Sequence, residues 1–159
     1  MRGYFVIVLL AVVSVLITVF AAQYGLGLEP CVLCEYQRIP YWTAVGIAVV
    51  ALTVPTAAAP RVANLLGVLF LCGAVLAFYH FGVEQHWWVA ATSCAKGRGA
   101  GVPMSFEAFS ATPLKPLVKS CEDLDWTILG LSITVYNTAT QLALALISFV
   151  AAARWRRHP

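Results

Sequence analysis

The polar and apolar residues of this chain fall into long, separate blocks. Four blocks lack Asp, Glu, Lys and Arg, and each approaches the roughly 20 apolar residues that a helix needs to cross a bilayer. Backbone groups in lipid must be satisfied within their own segment, so these blocks are predicted to be helices. The predicted spans cover residues 4–22, 39–55, 62–82 and 127–153.

The polar blocks between the spans predict the connections. A short segment, 23–38, joins the first span to the second, and a long segment, 83–126, joins the third to the fourth. We therefore expect an all-α membrane protein, a four-transmembrane-helix bundle that residues 1–159 form as a single domain.

Composition agrees with this fold class. Hydrophobic residues make up 61% of the 159 residues, and the mean hydropathy is +0.84. This is more apolar surface than one small globular core can bury, which argues against a soluble domain. The expected surroundings are a lipid bilayer and membrane-soluble molecules, with no nucleic acid as partner.

The positions of the basic residues predict the orientation. Lys and Arg are equally numerous on the two sides, but those of one side lie close to span ends, where charge has the larger effect on topology. These are Arg2, Arg61, Arg154, Arg156 and Arg157. We expect both termini in the cytoplasm and segments 23–38 and 83–126 in the periplasm of a bacterial inner membrane.

The first span has one alternative interpretation, a cleaved signal peptide. Arg2 precedes the apolar run, and Phe20-Ala21-Ala22 resembles a cleavage site. The run is longer than a signal peptide requires, and its removal would leave three spans with the basic tail outside. We therefore expect residues 4–22 to stay in the membrane.

Cysteines supply the candidate chemistry. Cys31 and Cys34 form a Cys-x-x-Cys motif where the second span begins, and Cys94 and Cys121 lie in the long periplasmic segment. Disulfides form and persist outside the cytoplasm, so two thiol pairs there suggest an electron relay. Cys72 lies within the third span and is interpreted as a small buried apolar residue.

The surroundings of the motif favour a reactive thiol. A helix start favours a thiolate through its backbone N–H groups, and Cys34 lies deeper in that start than Cys31. Arg38 follows Cys34 by four residues, so both lie on one helix face. Its permanent positive charge can stabilise a thiolate and an anion on a bound acceptor, although an interfacial anchor is the alternative role.

Two less reactive interpretations of the four cysteines remain open. One is a structural zinc site with four thiolate ligands, although a separation of 27 residues between Cys94 and Cys121 is unusual for a zinc knuckle. The other is a pair of structural disulfides, which would stabilise the long segment by about 3–4 kcal/mol in the chain-entropy model.

Together these residues resemble the DsbB family of quinone-dependent thiol oxidases. The resemblance is carried by Pro30-Cys31-Val32-Leu33-Cys34 with Tyr36 and Arg38, by Cys94 and Cys121, and by Trp126 with Leu129-Gly130-Leu131. The family implies a four-helix bundle that reoxidises a DsbA-like periplasmic thioredoxin-fold protein and passes the electrons to ubiquinone or menaquinone. Glu29 departs from the basic residue that precedes the motif proline in the family's best-known member.

The resemblance also implies roles for individual residues. Cys34 would be the thiolate that contacts the quinone and Arg38 the cation that polarises it, with Cys31 as the second thiol of that pair. Cys94 would form the mixed disulfide with the partner and Cys121 would pass the electrons on. A vitamin K epoxide reductase-like enzyme is the redox alternative, but there the Cys-x-x-Cys motif lies late in the bundle.

Other polar residues near the spans have weaker interpretations. His80 and His86 flank the outer end of the third span, and of the two we favour His86 as a group that assists proton uptake at the quinone. Asn137 and Gln141 are four apart on one face of the last span and are expected to form interhelical hydrogen bonds. No metal ligand set is predicted.

Overall fold

The computed structural model describes residues 1–53, 55–89, 121–122 and 127–157, and these residues are largely helical. The elements are the helices α1 (Arg2–Gly25), α2 (Val32–Tyr36), α3 (Ile39–Thr53), α4 (Ala59–Glu84) and α5 (Ile133–Arg157), a 3₁₀ helix (Thr56–Ala58), and the strands β1 (Thr127–Ile128) and β2 (Leu131–Ser132).

Helices α1, α4 and α5 are each long and apolar enough to cross a membrane. The remaining helix of the bundle, α3, has 15 residues. At 1.5 Å per residue its length is about 22 Å, which is less than the thickness of the hydrocarbon layer. Backbone hydrogen bonds from Arg38 N to Glu35 O and from Trp42 N to Arg38 O connect it to α2. The predicted fold class is confirmed: the chain is a four-helix membrane bundle.

Small residues line the helix interfaces. Ala44, Ala48, Ala63 and Ala77 are fully buried, while many larger apolar side chains point outward. This distribution is typical of membrane helices, because small residues let backbones approach closely while lipid accepts the bulky side chains. Helix α4 packs most extensively against α5, and α1 packs against α3.

Helix α1 is an integral part of the bundle. Its side chains Phe5, Val8, Val12 and Leu16 are buried in the main hydrophobic core. Near the N-terminus, Tyr4 donates a 2.7 Å hydrogen bond to Ser148 Oγ on α5. These contacts make residues 4–22 part of the packed helical bundle.

The start of the last predicted span is corrected by the structure. Residues 127–132 form an antiparallel hairpin, and helix α5 begins only at Ile133. Leu129 and Gly130 have φ angles of +52° and +80°, which the right-handed helix excludes. The apolar run therefore continues through a turn, which a pattern of hydrophobic residues alone does not reveal.

The two polar residues on α5 differ in their partners. Asn137 bonds to Tyr41 and Gln37 across the bundle, as predicted. Gln141 is fully buried against Gly73, and its side-chain amide has no hydrogen-bond partner among the described residues, so that prediction is wrong. A Cβ on residue 73 would collide with the Gln141 amide, so glycine is what allows α4 and α5 to approach here.

Candidate functional site

Cys31 and Cys34 lie at the start of α2 with their sulfur atoms 3.1 Å apart. Cys31 is the N-cap residue, with extended backbone angles after Pro30, and its Sγ accepts a 3.3 Å hydrogen bond from Cys34 N. The N–H group that was expected to favour a Cys34 thiolate thus points at Cys31. The two thiols are held in a geometry from which a small movement closes a disulfide.

The two cysteines have different surroundings. Cys31 is buried, whereas Cys34 is partly exposed and lines a cavity. The hydrogen bond to Cys34 and the burial of the thiol raise the pKa of Cys31 well above its ordinary value, and a hydrogen bond to His80 opposes this with a smaller effect. Cys31 is therefore held as a thiol unless a neighbouring group takes its proton.

Cys121 belongs to the same end of the bundle as the motif. It is fully buried in a small hydrophobic cluster with Cys31, Leu33 and Val83. One cysteine of the predicted second pair is thus brought to the buried thiol of the first pair, across 90 residues of chain. Cys94 lies outside the described residues.

Arg38 lies at the junction of α2 and α3, where two contacts orient its guanidinium. Its Nη1 donates a 2.7 Å hydrogen bond to Gln23 Oε1 on α1, and its Cζ lies 5.1 Å from the centre of the Phe20 ring. The Nε atom of Arg38 is buried without a hydrogen-bond partner in the described part of the chain. A donor of this kind is suited to an oxygen atom of a ligand.

A cavity of about 380 Å³ lies between α1, the α2–α3 junction and the start of α5. This volume is within the range of small-molecule sites, and the wall is mostly apolar with a few polar groups. The polar side chains that line it include Glu29, Gln23 on α1, Cys34 on α2, Gln37 and Arg38 at the α2–α3 junction, Tyr41 on α3 and Asn137 on α5. The cavity therefore combines a thiol, a cation and hydrogen-bonding groups in an apolar surround.

A chain of side-chain hydrogen bonds leads from the cavity wall into the bundle. Tyr41 Oη donates to Asn137 Oδ1 at 2.6 Å, and Asn137 Nδ2 donates to Gln37 Oε1. Gln37 Nε2 then lies 2.6 Å from His80 Nδ1. The chain joins the cavity wall to a buried histidine on α4.

His80 is the histidine that meets the cysteine motif. Its Nε2 lies 3.5 Å from Cys31 Sγ and 3.8 Å from Oε1 of Glu84. His86, the histidine favoured from the sequence, is exposed beyond the end of α4, where its Nδ1 lies 3.1 Å from the backbone oxygen of Glu84. It does not line the cavity, so its predicted quinone contact has no support from its position.

Sequence reasoning missed three side chains of this site: Gln23, Gln37 and Glu84. Glu84 was counted among the residues of the periplasmic segment, but it is the last residue of α4 and is buried. One signal was available, since His80 and Glu84 are four residues apart and therefore share a helix face. No comparable signal identifies Gln23 or Gln37, whose contacts are with other helices.

The ligand atoms of Cys31, Cys34 and His80 all lie within 4.8 Å of one another. This spacing is compatible with binding of a soft metal ion. It is equally compatible with a thiol pair that lies beside a general base. The four-thiolate zinc alternative additionally requires Cys94, which lies outside the described residues.

Comparison with known proteins gives a consistent result. The family model described as disulfide bond formation protein DsbB matches residues 1–151. A disulfide bond formation protein B of Xanthomonas axonopodis pv. citri is 32% identical over 98% of this chain and 92% of its own length. One of Neisseria gonorrhoeae is 35% identical over 84% of both chains. No solved structure matches.

Proposed function

Because the chain belongs to the DsbB family of disulfide bond formation proteins, we propose that this membrane-embedded disulfide oxidoreductase transfers electrons from thiols to quinone. In this proposal it reoxidises a DsbA-like thioredoxin-fold protein of the periplasm and reduces ubiquinone or menaquinone. The observation that carries the proposal is that the two cysteines of the motif face different surroundings. Cys34 lines the cavity with Arg38, while Cys31 packs in the cluster that contains Cys121.

The cavity supports a quinone as the electron acceptor. Its apolar wall suits a membrane-soluble ring. The Nε of Arg38, which has no hydrogen-bond partner among the described residues, suits a quinone oxygen. When bound, a quinone supplies the capacity to accept two electrons and two protons. Arg38 would hold its oxygen and stabilise negative charge there, and Tyr41 and Asn137 would provide further hydrogen bonds.

The cluster of buried cysteines supports an order for the thiol exchange. A thiolate on Cys121 attacks Cys31 in the Cys31–Cys34 disulfide, so that a Cys31–Cys121 bond forms and Cys34 leaves as a thiolate beside the cavity. Cys94 then attacks Cys121 and releases Cys31, which leaves the loop pair oxidised and the motif reduced. Two electrons have then moved from the loop pair to the motif.

The DsbA-like partner enters the proposal through Cys94. A thiolate of the reduced partner would attack Cys94 in the Cys94–Cys121 disulfide, so that a mixed disulfide with Cys94 forms and Cys121 leaves as a thiolate. The partner's second cysteine would then attack its own sulfur in the mixed disulfide and release Cys94, which leaves the partner oxidised and the loop pair reduced. The assay that tests the proposal measures quinone absorbance while purified protein turns over a reduced DsbA-like protein. Wild type should reduce quinone, Cys34→Ser should not, and Cys121→Ser should trap the partner on Cys94.

One result would reject this relay. If Cys94→Ser oxidised the partner at the wild-type rate, the partner would react with Cys31 and Cys34 directly, and the loop pair would be structural. If wild type failed to reduce ubiquinone or menaquinone at all, the quinone part of the proposal would be wrong.

We also propose that the protein lies in the bacterial inner membrane with both termini in the cytoplasm. Arg154, Arg156 and Arg157 form the last turn of α5, where positive charge also complements the helix dipole. Single cysteines at the exposed residues Val89 and Arg157 of a cysteine-free variant test the orientation. A membrane-impermeant thiol reagent should label Val89→Cys in intact cells and Arg157→Cys only after the inner membrane is opened.

A further inference from the structure

A buried ionisable side chain, His80, lies directly beside the sulfur of Cys31, and a second one, Glu84, faces the same nitrogen of His80. His80 and Glu84 are only 1% and 4% exposed, in a helix that crosses the membrane. Ionisable residues in such segments are costly to bury and usually serve function. The proposed exchange does not yet account for this pair, although the sulfur of Cys31 gains and loses a proton in every cycle.

Glu84 is held in the geometry of a hydrogen-bond acceptor. Its Oε2 accepts hydrogen bonds from Ser132 Oγ at 2.5 Å and from Thr134 Oγ1 at 2.7 Å, both at the β2–α5 junction. Its Oε1 faces His80 Nε2 at 3.8 Å. An ionised carboxylate accepts hydrogen bonds only, so two donors on one oxygen suit the charged form, which would stabilise a proton on His80.

The side-chain amides of Gln37 and Asn137 form the hydrogen-bonded chain that reaches Nδ1 of His80, and this chain allows two tautomers of the imidazole. In the orientation of the Gln37 amide in the structure, its Nε2 donates to Nδ1 of His80, which requires the proton of the neutral ring to lie on Nε2. If the amides of Gln37 and Asn137 both turn over, Gln37 Oε1 accepts from Nδ1–H, and Nε2 becomes the acceptor that faces Cys31. Tyr41 Oη can either donate or accept, so every group in the chain is satisfied in both arrangements.

We propose that His80 takes the proton from the Cys31 thiol and returns it to the Cys31 thiolate, with Glu84 and Gln37 as its positioning residues. The inference rests on the proposed function, because it requires that Cys31 and Cys34 are the exchanging pair. Among the described residues, the titratable groups that face His80 are Cys31 and Cys34 from the motif and Glu84 from its own helix. Cys121 packs with Cys31 in the adjacent cluster.

The proton balance follows from the exchange. When the Cys31–Cys121 bond is broken by the second loop thiol, Cys31 leaves with the bonding electron pair, and His80 Nε2–H supplies its proton. When the Cys31–Cys34 disulfide is made again, the thiol proton of Cys31 returns to His80. Glu84 stabilises the imidazolium ion, and in that state Gln37 Oε1 accepts from Nδ1–H.

The test measures Cys31 alone, without quinone or partner. In a variant whose other cysteines are replaced, the rate of modification of Cys31 by methyl methanethiosulfonate is followed against pH. Because only the thiolate reacts, His80→Gln should move this profile to higher pH by about one unit or more, which is about a tenfold loss of rate near neutral pH. The rates of the two proteins should converge at high pH.

A purely structural role of His80 would change the rate by the same factor at every pH, and an unshifted profile would overturn the inference. Glu84→Gln keeps an acceptor for the hydroxyl groups but removes the charge, so it should shift the profile in the same direction by a smaller amount. If His80→Gln does not fold, as judged by helical circular dichroism, an unshifted profile in Glu84→Gln overturns the inference by itself.

Three further outcomes separate this inference from a role of His86 and from the proposed function. If His86→Gln shifts the profile and His80→Gln does not, the proton acceptor is His86 and the inference is wrong. If wild type reduces quinone but His80→Gln shows no shift, only the inference fails. If the shift is present while wild type reduces no quinone, the proposed function fails and the proton exchange between His80 and Cys31 stands.

Discussion

Arg38 Nη1 donates a 2.7 Å hydrogen bond to Gln23 Oε1, which ties the junction of α2 and α3 to the end of α1. The bond aims the guanidinium along the cavity wall that also contains Cys34. Gln23 therefore orients Arg38, the only positive charge among the described residues that line the cavity, although Gln23 is eight residues before the motif.

Removal of this charge should impair the proposed reaction with quinone. Arg38→Met is expected to lower quinone affinity or turnover by about 10- to 100-fold, the size of a lost hydrogen bond to a charged group. Arg38→Lys should lie between, because a point charge replaces a planar fork. Gln23→Leu should have a smaller effect, since the cation stays but its orientation is lost. A quinone titration measures all three variants.

The matched control is disulfide formation between Cys31 and Cys34. In a glutathione redox buffer, Cys31 and Cys34 should still form their disulfide in Arg38→Met and Gln23→Leu. Wild-type turnover of Arg38→Met across the whole titration would leave Arg38 as an interfacial anchor.

The packing of Cys121 beside Cys31 predicts which disulfide accumulates when Cys34 is removed. In Cys34→Ser, oxidation should join Cys31 to Cys121, because both are buried in one cluster. Non-reducing digestion with mass spectrometry identifies the linked peptides. Cys31→Ser is the control. In this variant less of the Cys34–Cys121 disulfide should form than of the Cys31–Cys121 disulfide in Cys34→Ser. A dominant Cys31–Cys94 bond in Cys34→Ser would contradict the proposed order.

The raised pKa of Cys31 predicts how the stability of the reduced protein depends on pH. Above the ordinary thiol pKa of about 8.5, the unfolded chain releases this proton while the folded protein keeps it. The free energy of unfolding should therefore be fully retained below that pH and fall by up to about 1.4 kcal/mol per pH unit above it. Denaturant unfolding in detergent between pH 7 and 10 measures the change.

Cys31→Ala is the control for this prediction, because it retains the other thiols. The fall in stability with pH should be smaller in this variant than in wild type. Identical slopes in the two reduced proteins would mean that Cys31 does not hold its proton more tightly when folded.

The amide of Gln141, which lacks a partner in the part of the chain that the structure describes, predicts a stabilising substitution. A buried polar group without a hydrogen bond costs about 1–3 kcal/mol, so Gln141→Leu, which has a similar volume, should raise or preserve the free energy of unfolding. Asn137→Leu is the matched comparison one turn away, and it should destabilise because it breaks the bonds to Tyr41 and Gln37. Thermal unfolding of both variants measures these changes. A decrease of more than about 1 kcal/mol in the free energy of unfolding of Gln141→Leu would indicate that the amide has a hydrogen-bond partner.

The amino-acid sequence determined the membrane fold and the location of the reactive motif. Hydropathy decides whether a segment lies in lipid, and this is a local property that each block of residues carries by itself. The Cys-x-x-Cys spacing and the position of Arg38 are equally local. The hairpin at 127–132 was not predicted, because its apolar residues continue the block and only the backbone angles of Leu129 and Gly130 end it.

The tertiary structure alone decided which side chains meet. Hydropathy does not fix how far each helix is rotated about its axis or shifted along it, since these depend on the packing of all its neighbours. That rotation brings His80, and not His86, to Cys31, and it buries Glu84 against the start of α5. The sequence could place a thiol pair at the membrane surface, but only the packing of α4 against α2 and α5 could place an acid and a base beside it.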